Sequence, residues 1–273
     1  MLAIQGLKKQ LRGIRSTRKL TKAMRTVSTV KFSRLNELYS EYSKYGKLCR
    51  DVIEQYGSFF QDIFRETNPE APSLVLVATS NKGLCGKFNA EILHFAEEKV
   101  KTMDSVFLVA CGKKAIQYFK GKEIPFEKGY ELQDIPKYEN SSEILDDILN
   151  LRQEGKISKV FVVYPQYVNM MLQVPKICKL FPEDGEENSS NVLFLPDKET
   201  VSEKVAKLVL RALFHELILE TALGAQAATL MTMRSAYDTA TEHYEELEGE
   251  INRMRQSAVT ADVIETSVVR KEE

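Results

Sequence analysis

Two long segments, one at each end of the chain, carry an apolar residue at almost every third or fourth position and contain no proline. In the C-terminal segment, a strict 3-4 alternation runs from Val209 to Ala261, and 14 of its 16 positions are apolar. Only Glu216 and Gln226 interrupt it. This spacing predicts one helix with an apolar seam about 80 Å long at 1.5 Å per residue. A compact domain cannot cover so long a seam, so a second helix must pack against it.

The N-terminal segment, up to about Phe60, is predicted to be that second helix. The same spacing occurs over residues 4–14 and again over 35–59. In the middle the register meets polar residues, with apolar residues beside it: Arg18, Thr21, Arg25 and Ser28 fall in the seam, and Leu20, Met24, Val27 and Val30 lie next to it. Because both helices join the same central region from opposite chain ends, we expect an antiparallel two-helix coiled coil. The middle of its N-terminal helix is expected to present a different face.

The central region has the pattern of buried strands that alternate with helices. Three short β-branched runs are predicted to be strands: SLVLVAT (73–79), SVFLVAC (105–111) and KVFVVYP (159–165). Helical patterns occupy 88–101, 113–119 and 142–155; residues 171–182 fit an edge strand because of their prolines, and the polar residues 183–191 fit a loop. The sequence therefore predicts an α/β fold: a small, parallel, Rossmann-like domain inserted between the coiled-coil helices. The predicted segments are 1–62, 70–200 and 202–273.

Charge is distributed unevenly along the chain. Residues 1–50 hold 13 Lys or Arg and 2 Asp or Glu, a net charge of +11, whereas residues 201–273 hold 8 and 13, a net charge of −5. A basic arm can bind nucleic acid, pack beside an acidic helix, or face an acidic protein collar. The chain has no Trp, and residues 8–31 have no interleaved aromatic residues. Both features argue against nucleic acid.

The stretch SNKGLCGKFN, residues 80–89, follows the first predicted strand and ends like a phosphate-binding loop. The pattern G-x-x-x-x-G-K-[ST] fails at two positions, because Asn81 replaces the first glycine and Phe88 replaces the magnesium-binding hydroxyl. A strand-to-helix turn is favoured instead. Gly83 and Gly86 are expected to supply positive φ and close backbone approach, and Asn89 or Asn81 to cap the following helix.

The sequence predicts no catalytic residues, metal site or cofactor. His94, His215 and His243 lie apart on helical patterns and fit surface or packing positions. The four cysteines are scattered without a C-x-x-C pair and fit apolar packing. No apolar run reaches the length needed to cross a bilayer.

Three motifs resemble the γ subunit of F-type ATP synthases, the central rotor stalk, and the resemblance covers nearly the whole chain. IRSTRKLTKAMRTVSTVKF (14–32) is similar to the family's N-terminal helix with its T-K-A-M core. SNKGLCGKFN resembles the family's S-D-R-G-L-C-G-x-x-N turn, and NRMRQSAVTADVIE (252–265) resembles N-K-A-R-Q-x-x-I-T-x-E. The chain departs from the family at Asn81 and Lys87 in the turn, and at Ala225 and Thr229, where Glu and Arg are usual.

The resemblance implies a rotor that makes no bond itself. It implies that the coiled coil stands inside a ring of three α and three β subunits, with the α/β domain and ε at the c-ring of the membrane sector. It places the chain on the cytoplasmic side of a bacterial inner membrane as a peripheral subunit. It also implies the residues that contact the surrounding collar: Met24, Lys19, Lys22 and Arg25 on the first helix, and Arg255, Gln256 and Thr260 on the last.

Two other interpretations stay open at this point. The first is a coiled-coil adaptor whose α/β domain binds a small ligand, which predicts a stable homodimer. The second is a basic-arm nucleic-acid binder, which predicts steeply salt-dependent binding to duplex DNA.

Overall fold

The computed structural model describes residues 2–60, 68–181, 195 and 197–272. Its elements, in chain order, are α1 (Leu2–Tyr56), a short 3-10 turn (Gly57–Phe59), β1 (Ser73–Ala78), α2 (Phe88–Lys101), β2 (Val106–Cys111), α3 (Lys113–Gly121), β3 (Lys128–Tyr130), α4 (Tyr138–Gln153), β4 (Val160–Tyr167), β5 (Gln173–Lys179) and α5 (Lys198–Glu272). Within the described ranges, none of these helices combines the length and the apolar character needed to span a bilayer.

The five strands form one sheet in the order β3-β2-β1-β4-β5. The pairs β1–β2, β1–β4 and β2–β3 are parallel, and β4–β5 is antiparallel. Pro165 and Pro175 face each other in the last pair, and β1 pairs with β4 only as far as Val163. Both prolines therefore lie where no ladder hydrogen bond to a third strand is lost, which is the position that proline tolerates in a sheet.

Contacts divide the chain into two compact units, Ser28–Thr229 and Met1–Val27 with Leu230–Glu273. We call them the α/β unit and the helix-pair unit. The α/β unit contains the sheet, α2, α3 and α4, together with the adjoining parts of α1 and α5. The helix-pair unit contains the first part of α1 and the last part of α5.

Each face of the sheet in the α/β unit packs against its own helices. Leu74 and Leu76 of β1 belong to a core shared with α4 and with Phe214 of α5. Val75 and Val77, which alternate with them, belong to a second core with α2 and α3. Successive residues of a strand point to opposite faces, so a strand covered on both sides is apolar throughout. That is why SLVLVA contains no polar residue after Ser73.

Within the α/β unit, α1 and α5 run antiparallel. Leu35 is fully buried and clusters with Leu219 and Leu223, whereas Cys49 clusters with Val209 and Ala212. Rising numbers on α1 thus meet falling numbers on α5, as the coiled-coil prediction requires. In the helix-pair unit, Met233, Ala240 and Ile251, which belong to the same 3-4 pattern of α5, are buried.

Most predicted elements are confirmed with small shifts of their ends. The predicted helix at 88–101 is observed with those bounds, and the helix predicted at 142–155 begins four residues earlier, at Tyr138. The edge strand is confirmed as β5. Strand β3, which has only three residues, was not predicted. The loop predicted at 183–191 lies outside the described residues.

Candidate functional site

The helix-pair unit holds all seven residues that the resemblance assigned to partner contact. Its two helices are antiparallel: the Arg18 guanidinium lies 4.3 Å from the ring centre of Tyr244, and that of Arg25 lies 4.9 Å from the ring centre of Tyr237. Both are cation–π contacts, which contribute roughly 0.5–1 kcal/mol each at partly exposed positions. Arg25 therefore has a role in helix pairing within the chain.

Polar residues of α1 occupy the seam in this unit. Thr21 is only 6% exposed, and its hydroxyl donates to the backbone carbonyls of Thr17 (3.0 Å) and Arg18 (3.1 Å) of its own helix. A buried hydroxyl satisfied in this way costs little and leaves its methyl group for packing. The seam therefore passes through the polar register instead of moving to the apolar residues beside it.

Those apolar residues face outward. Leu20 is 60% exposed and Val27 is 54% exposed, while Met24 between them is half-buried. Lys19 and Lys22 are exposed on the same part of α1. We call Lys19, Leu20, Lys22, Met24 and Val27 the α1 outer face. Uncovered apolar side chains at helical spacing are typical of a surface that binds a partner.

The C-terminal candidates form a second exposed surface. Arg255, Gln256 and Thr260 are all exposed. The Thr260 hydroxyl donates to the Gln256 carbonyl at 2.9 Å, a bond within one helix. An open groove of about 540 Å³ runs along this stretch of α5, lined by Arg253, Gln256, Ser257, Thr260, Ala261 and Ile264. We call this stretch the α5 distal face.

The two faces lie at different levels of the helix-pair unit. The contacts of Arg18 with Tyr244 and of Arg25 with Tyr237 place Met24 opposite the region of Asp238. Arg255 is 17 residues further along the same helix, about 25 Å at 1.5 Å per residue. The seven residues predicted to contact partners thus lie in two separate places on the unit.

The two helices of the helix-pair unit carry opposite charges. Residues 1–27 contain eight Lys or Arg and no Asp or Glu. Residues 238–250 of α5 contain six acidic residues and no basic one. Much of this charge is exposed, so ion pairs between the helices would add little to stability, and the positive potential of α1 stays available to an acidic partner.

The turn that follows β1 in the α/β unit differs in detail from its prediction. Gly86 has φ 59°, but Gly83 lies outside the left-handed region, and a Cβ added to it would meet only the Lys114 side chain at 3.7 Å. The prediction for Gly83 is wrong. Leu84 adopts the second positive φ, 65°, with its side chain exposed. A non-glycine residue at positive φ costs roughly 1–2 kcal/mol, which the hydrogen bonds around it must offset.

The asparagines of this turn do not cap the helix that follows it. Asn89 lies inside α2, whose first turn receives no side-chain cap, and its Oδ1 accepts from the Ser80 amide at 3.0 Å. Asn81 instead caps α3, the helix after the next strand, by accepting the Lys113 amide at 2.9 Å. The prediction that either asparagine caps α2 is therefore wrong. Parallel β1 and β2 end side by side, which is why a residue after β1 reaches the helix after β2.

The first three amides of α3 all donate hydrogen bonds to residues 79–81, which directly follow β1. Lys113 donates to Asn81 Oδ1, Lys114 donates to the Ser80 carbonyl at 3.2 Å, and Ala115 donates to Thr79 Oγ1 at 2.9 Å. A free helix N-terminus at this edge is the usual site for a phosphate group. Here the protein's own oxygens occupy it.

The space beside this turn is correspondingly small. A cavity of about 30 Å³, lined among others by Thr79, Asp134 and Gln226, lies at this edge of the sheet. Such a volume holds about one water molecule and is far below that of a nucleotide. Helix α5 closes the site: Gly224 packs so near Phe88 that an added Cβ would lie 3.1 Å from the ring. Ala225, which stands where the family usually has Glu, is buried in the core beside Phe88.

Two lysines converge on Asp134 in the same unit. Lys31 of α1 and Lys82 of the turn both donate to Asp134 Oδ2. Burial would raise the pKa of this carboxyl, but the two lysines together lower it below its usual range. Asn81 also exchanges hydrogen bonds with the Leu132 backbone. This cluster was not predicted, because no local sequence pattern links positions 31, 82 and 134.

Comparisons with known proteins identify the family. A family model described as ATP synthase matches residues 3–267. The "ATP synthase gamma chain" of Clostridium novyi is 31% identical over 215 residues, 77% of this chain and 74% of the relative. The protein of the same name from Clostridium acetobutylicum is 32% identical over 205 residues, 72% of each chain. The chain belongs to the ATP synthase gamma chain family.

Solved structures support the fold at low sequence identity. A chain of the Euglena gracilis mitochondrial ATP synthase (OSCP/F1/c-ring) has a TM-score of 0.69 and 16% identity, over 96% of this chain and 92% of that one. A chain of the Tetrahymena thermophila mitochondrial ATP synthase (central stalk/c-ring) has a TM-score of 0.63 and 17% identity, over 80% and 99%. The combination of long terminal helices with a central α/β sheet is therefore the fold of this family.

Proposed function

We propose that this chain is the rotor shaft of an F1Fo ATP synthase, which transmits rotation between the c-ring and the catalytic sites of the α3β3 ring. The observation that carries the proposal is the α1 outer face, where Leu20 and Val27 are exposed beside half-buried Met24 and two exposed lysines, in a stretch (residues 1–27) without acidic residues. A surface of this kind fits an enclosing collar that is apolar at its centre and acidic at its rim.

The proposed mechanism follows from asymmetry. An antiparallel helix pair has different chemistry on each side, whereas a collar of three αβ pairs is nearly threefold. Each catalytic subunit then meets a different face of the shaft and is biased towards a different conformation. Rotation passes these biases around the ring, and coupling equals the difference in contact free energy among the faces. On this mechanism the chain makes and breaks no bond, and nucleotide chemistry belongs to neighbouring subunits.

The proposal includes location and organisation. We infer that the chain lies at the cytoplasmic side of a bacterial inner membrane as a peripheral subunit, with ε as a further partner. Its membership of the ATP synthase gamma chain family and its similarity to a chain of an F1/c-ring structure support this location. We also propose that residues 1–62 and 202–273 act as the shaft and that residues 70–200 act as the α/β domain at its foot.

Co-assembly tests the proposal directly. The full chain is mixed with α3β3 and ε subunits of a related bacterium, and the complex is isolated by size exclusion. We expect a stoichiometric α3β3γε complex with ATPase activity. A chain that forms only a homodimer, or that binds duplex DNA with steep salt dependence and ignores α3β3, would refute it.

The α1 outer face is tested in the same complex after it is bound to Fo in membrane vesicles, where proton pumping can be measured beside ATP hydrolysis. Met24→Lys adds a charge where the collar is expected to contact the shaft, and Met24→Leu conserves volume without charge. We expect Met24→Lys to retain ATP hydrolysis but to lose much of the coupled proton pumping, and Met24→Leu to behave like the parent. Equal loss of hydrolysis and pumping in Met24→Lys would count against a coupling role for this face.

A further inference from the structure

Two buried carboxyl groups lie one helical turn apart on α5, within the α/β unit. Glu216 and Glu220 are each only 6% exposed. Carboxylates almost never lie this deep unless a partner compensates them. The seam pattern marked Glu216 as an exception but gave no sign of Glu220.

Glu216 has a dedicated partner. Its two oxygens accept from the two terminal nitrogens of Arg50 on α1, at 2.7 and 3.2 Å. Gly46 makes room for this carboxylate, because a Cβ added there would overlap it. This bidentate pair gives each oxygen of the Glu216 carboxylate a donor from Arg50.

Glu220 is held by neutral groups from two other elements. Its Oε1 accepts the backbone amide of Tyr167, the last residue of β4, at 2.8 Å. Its carboxyl also has a hydrogen bond with the Tyr39 hydroxyl of α1. Glu220 therefore joins α5 to α1 and to the end of β4.

The groups around Glu220 decide which protonation state it prefers. Burial is the main cause that raises its pKa, to about 7, and the nearby Glu216 carboxylate raises it further, against the Tyr167 amide, Tyr39 and Arg50. The remaining titratable groups that face it are Tyr164 of β4 and Cys178 of β5, which are both neutral acids near pH 7 with pKa values raised by burial.

Both protonation states of Glu220 can be accommodated. The carboxylate accepts from the Tyr167 amide and from the Tyr39 hydroxyl. After it takes up one proton, the carbonyl oxygen keeps the Tyr167 amide and the new O–H can donate to the Tyr39 oxygen. The acid form loses the repulsion from Glu216 and the cost of a buried charge, with no change in the number of hydrogen bonds.

We propose that Glu220 is a proton-operated clasp in the fold, which fastens α5 to α1 and to the end of β4 when it binds a proton and loosens this junction when it releases one. The clasp rests on the contacts within the α/β unit and does not depend on the rotor role. The junction of α1, α5 and β4 is therefore held more firmly at low pH than at high pH.

The test is a pH titration of the full chain with ¹³C-labelled glutamate carboxyl groups, combined with amide hydrogen exchange at Tyr167. We expect the Glu220 carboxyl signal to titrate at least about two pH units above the exposed glutamates. A pKa of about 7 in the closed junction and 4.5 in the open one predicts an opening constant about 40-fold larger at pH 7 than at pH 5, after correction for intrinsic exchange.

Variants separate the clasp from general pH effects. In Glu220→Gln, which mimics the protonated form, the rise should shrink to less than about twofold. Glu242→Gln, an exposed change on the same helix, should behave like the parent. If Glu220→Gln does not fold, Glu220→Met also removes the ionisable group, and the same loss of pH dependence is expected. A Glu220 signal that titrates with the exposed glutamates, or a 40-fold rise that persists in the variant, would overturn the proposal.

Discussion

Substituting Gly112 by alanine tests the geometry that joins β2 to α3. Gly112 has φ +98°, and a Cβ added there would overlap the carbonyl oxygen of Thr79 and lie 2.7 Å from its Oγ1. Thr79 belongs to the segment that caps α3, and its Oγ1 accepts the Ala115 amide. Gly112→Ala therefore attacks the backbone conformation and the cap together.

The size of the effect follows from these contacts. The positive φ costs an alanine roughly 1–2 kcal/mol, and forcing backbone and Thr79 apart costs roughly 1–3 kcal/mol. Loss of the Thr79 cap adds about 1 kcal/mol. Alanine also reduces the conformational entropy of the unfolded chain, which offsets about 0.4–1 kcal/mol of these costs. We expect the free energy of unfolding to fall by about 2–5 kcal/mol, a large share of the usual 5–15 kcal/mol.

Urea unfolding of the full chain, followed by circular dichroism, measures this change. Gly121→Ala is the matched control, because it lies at the end of the same helix, has no positive φ and would place its Cβ in open space. It should leave stability unchanged or raise it by up to about 1 kcal/mol. If Gly112→Ala unfolds at the same urea concentration as the parent, the close approach of Thr79 and the cap it forms are not as described.

Three further predictions concern the contact surface, the cap and pH. Arg255→Ala and Gln256→Ala should each reduce ATP synthesis by the complete F1Fo complex in energised vesicles. Because both residues are exposed, each change should alter the chain's unfolding free energy by less than about 0.5 kcal/mol; a large stability loss would indicate a structural role instead. Asn81→Ala should destabilise the chain by about 1–2 kcal/mol in urea unfolding, since the Lys113 amide loses its cap; an unchanged midpoint would contradict the cap. The third prediction concerns pH. The raised pKa of Glu220 stabilises the fold fully below pH 4.5, and this contribution is lost as the pH rises through about 7. Burial lowers the pKa of His215 to about 4, so the contribution of neutral His215 is fully present above pH 6.5 and is lost as the pH falls towards 4. Between pH 5 and 7 each contribution changes by about 1–2 kcal/mol after allowance for solvent screening, and the two changes nearly cancel. Glu220→Gln removes one of them, so the variant should be less stable at pH 5 than at pH 7 in urea unfolding. Equal stability of the variant at the two pH values would refute the assignment.

The sequence predicted the elements well where one period dominates. The 3-4 alternation of α5 held as a buried or half-buried seam as far as Met254, and the strand runs were found at their predicted places. Periodicity reports burial of a face, and long elements repeat the signal many times. The strand at Lys128–Tyr130 is too short to repeat it, and two of its three residues are exposed.

The candidate surface was predicted in part. The motif resemblance named Lys19, Lys22 and Met24 of the α1 outer face, but not Leu20 or Val27. Nor did it indicate that Arg25 lies over Tyr237 or that the two faces are about 25 Å apart along the helices. These depend on the register between two helices. A shift of one turn would keep the same apolar pattern and change every such pair.

The sequence by itself determined the class of protein: two long seam-bearing helices, an α/β region between them and three family motifs. Only the tertiary structure decided which groups meet. Gly83 was expected to take a positive φ that Leu84 adopts, and Asn81 was expected to cap the next helix but caps the one after it. Glu220 stands among ordinary helix residues until α1 and β4 close over it. The reason is physical: periodicity and turn chemistry act between near neighbours in the chain, whereas caps, buried charges and pKa shifts arise from residues that packing brings together across it.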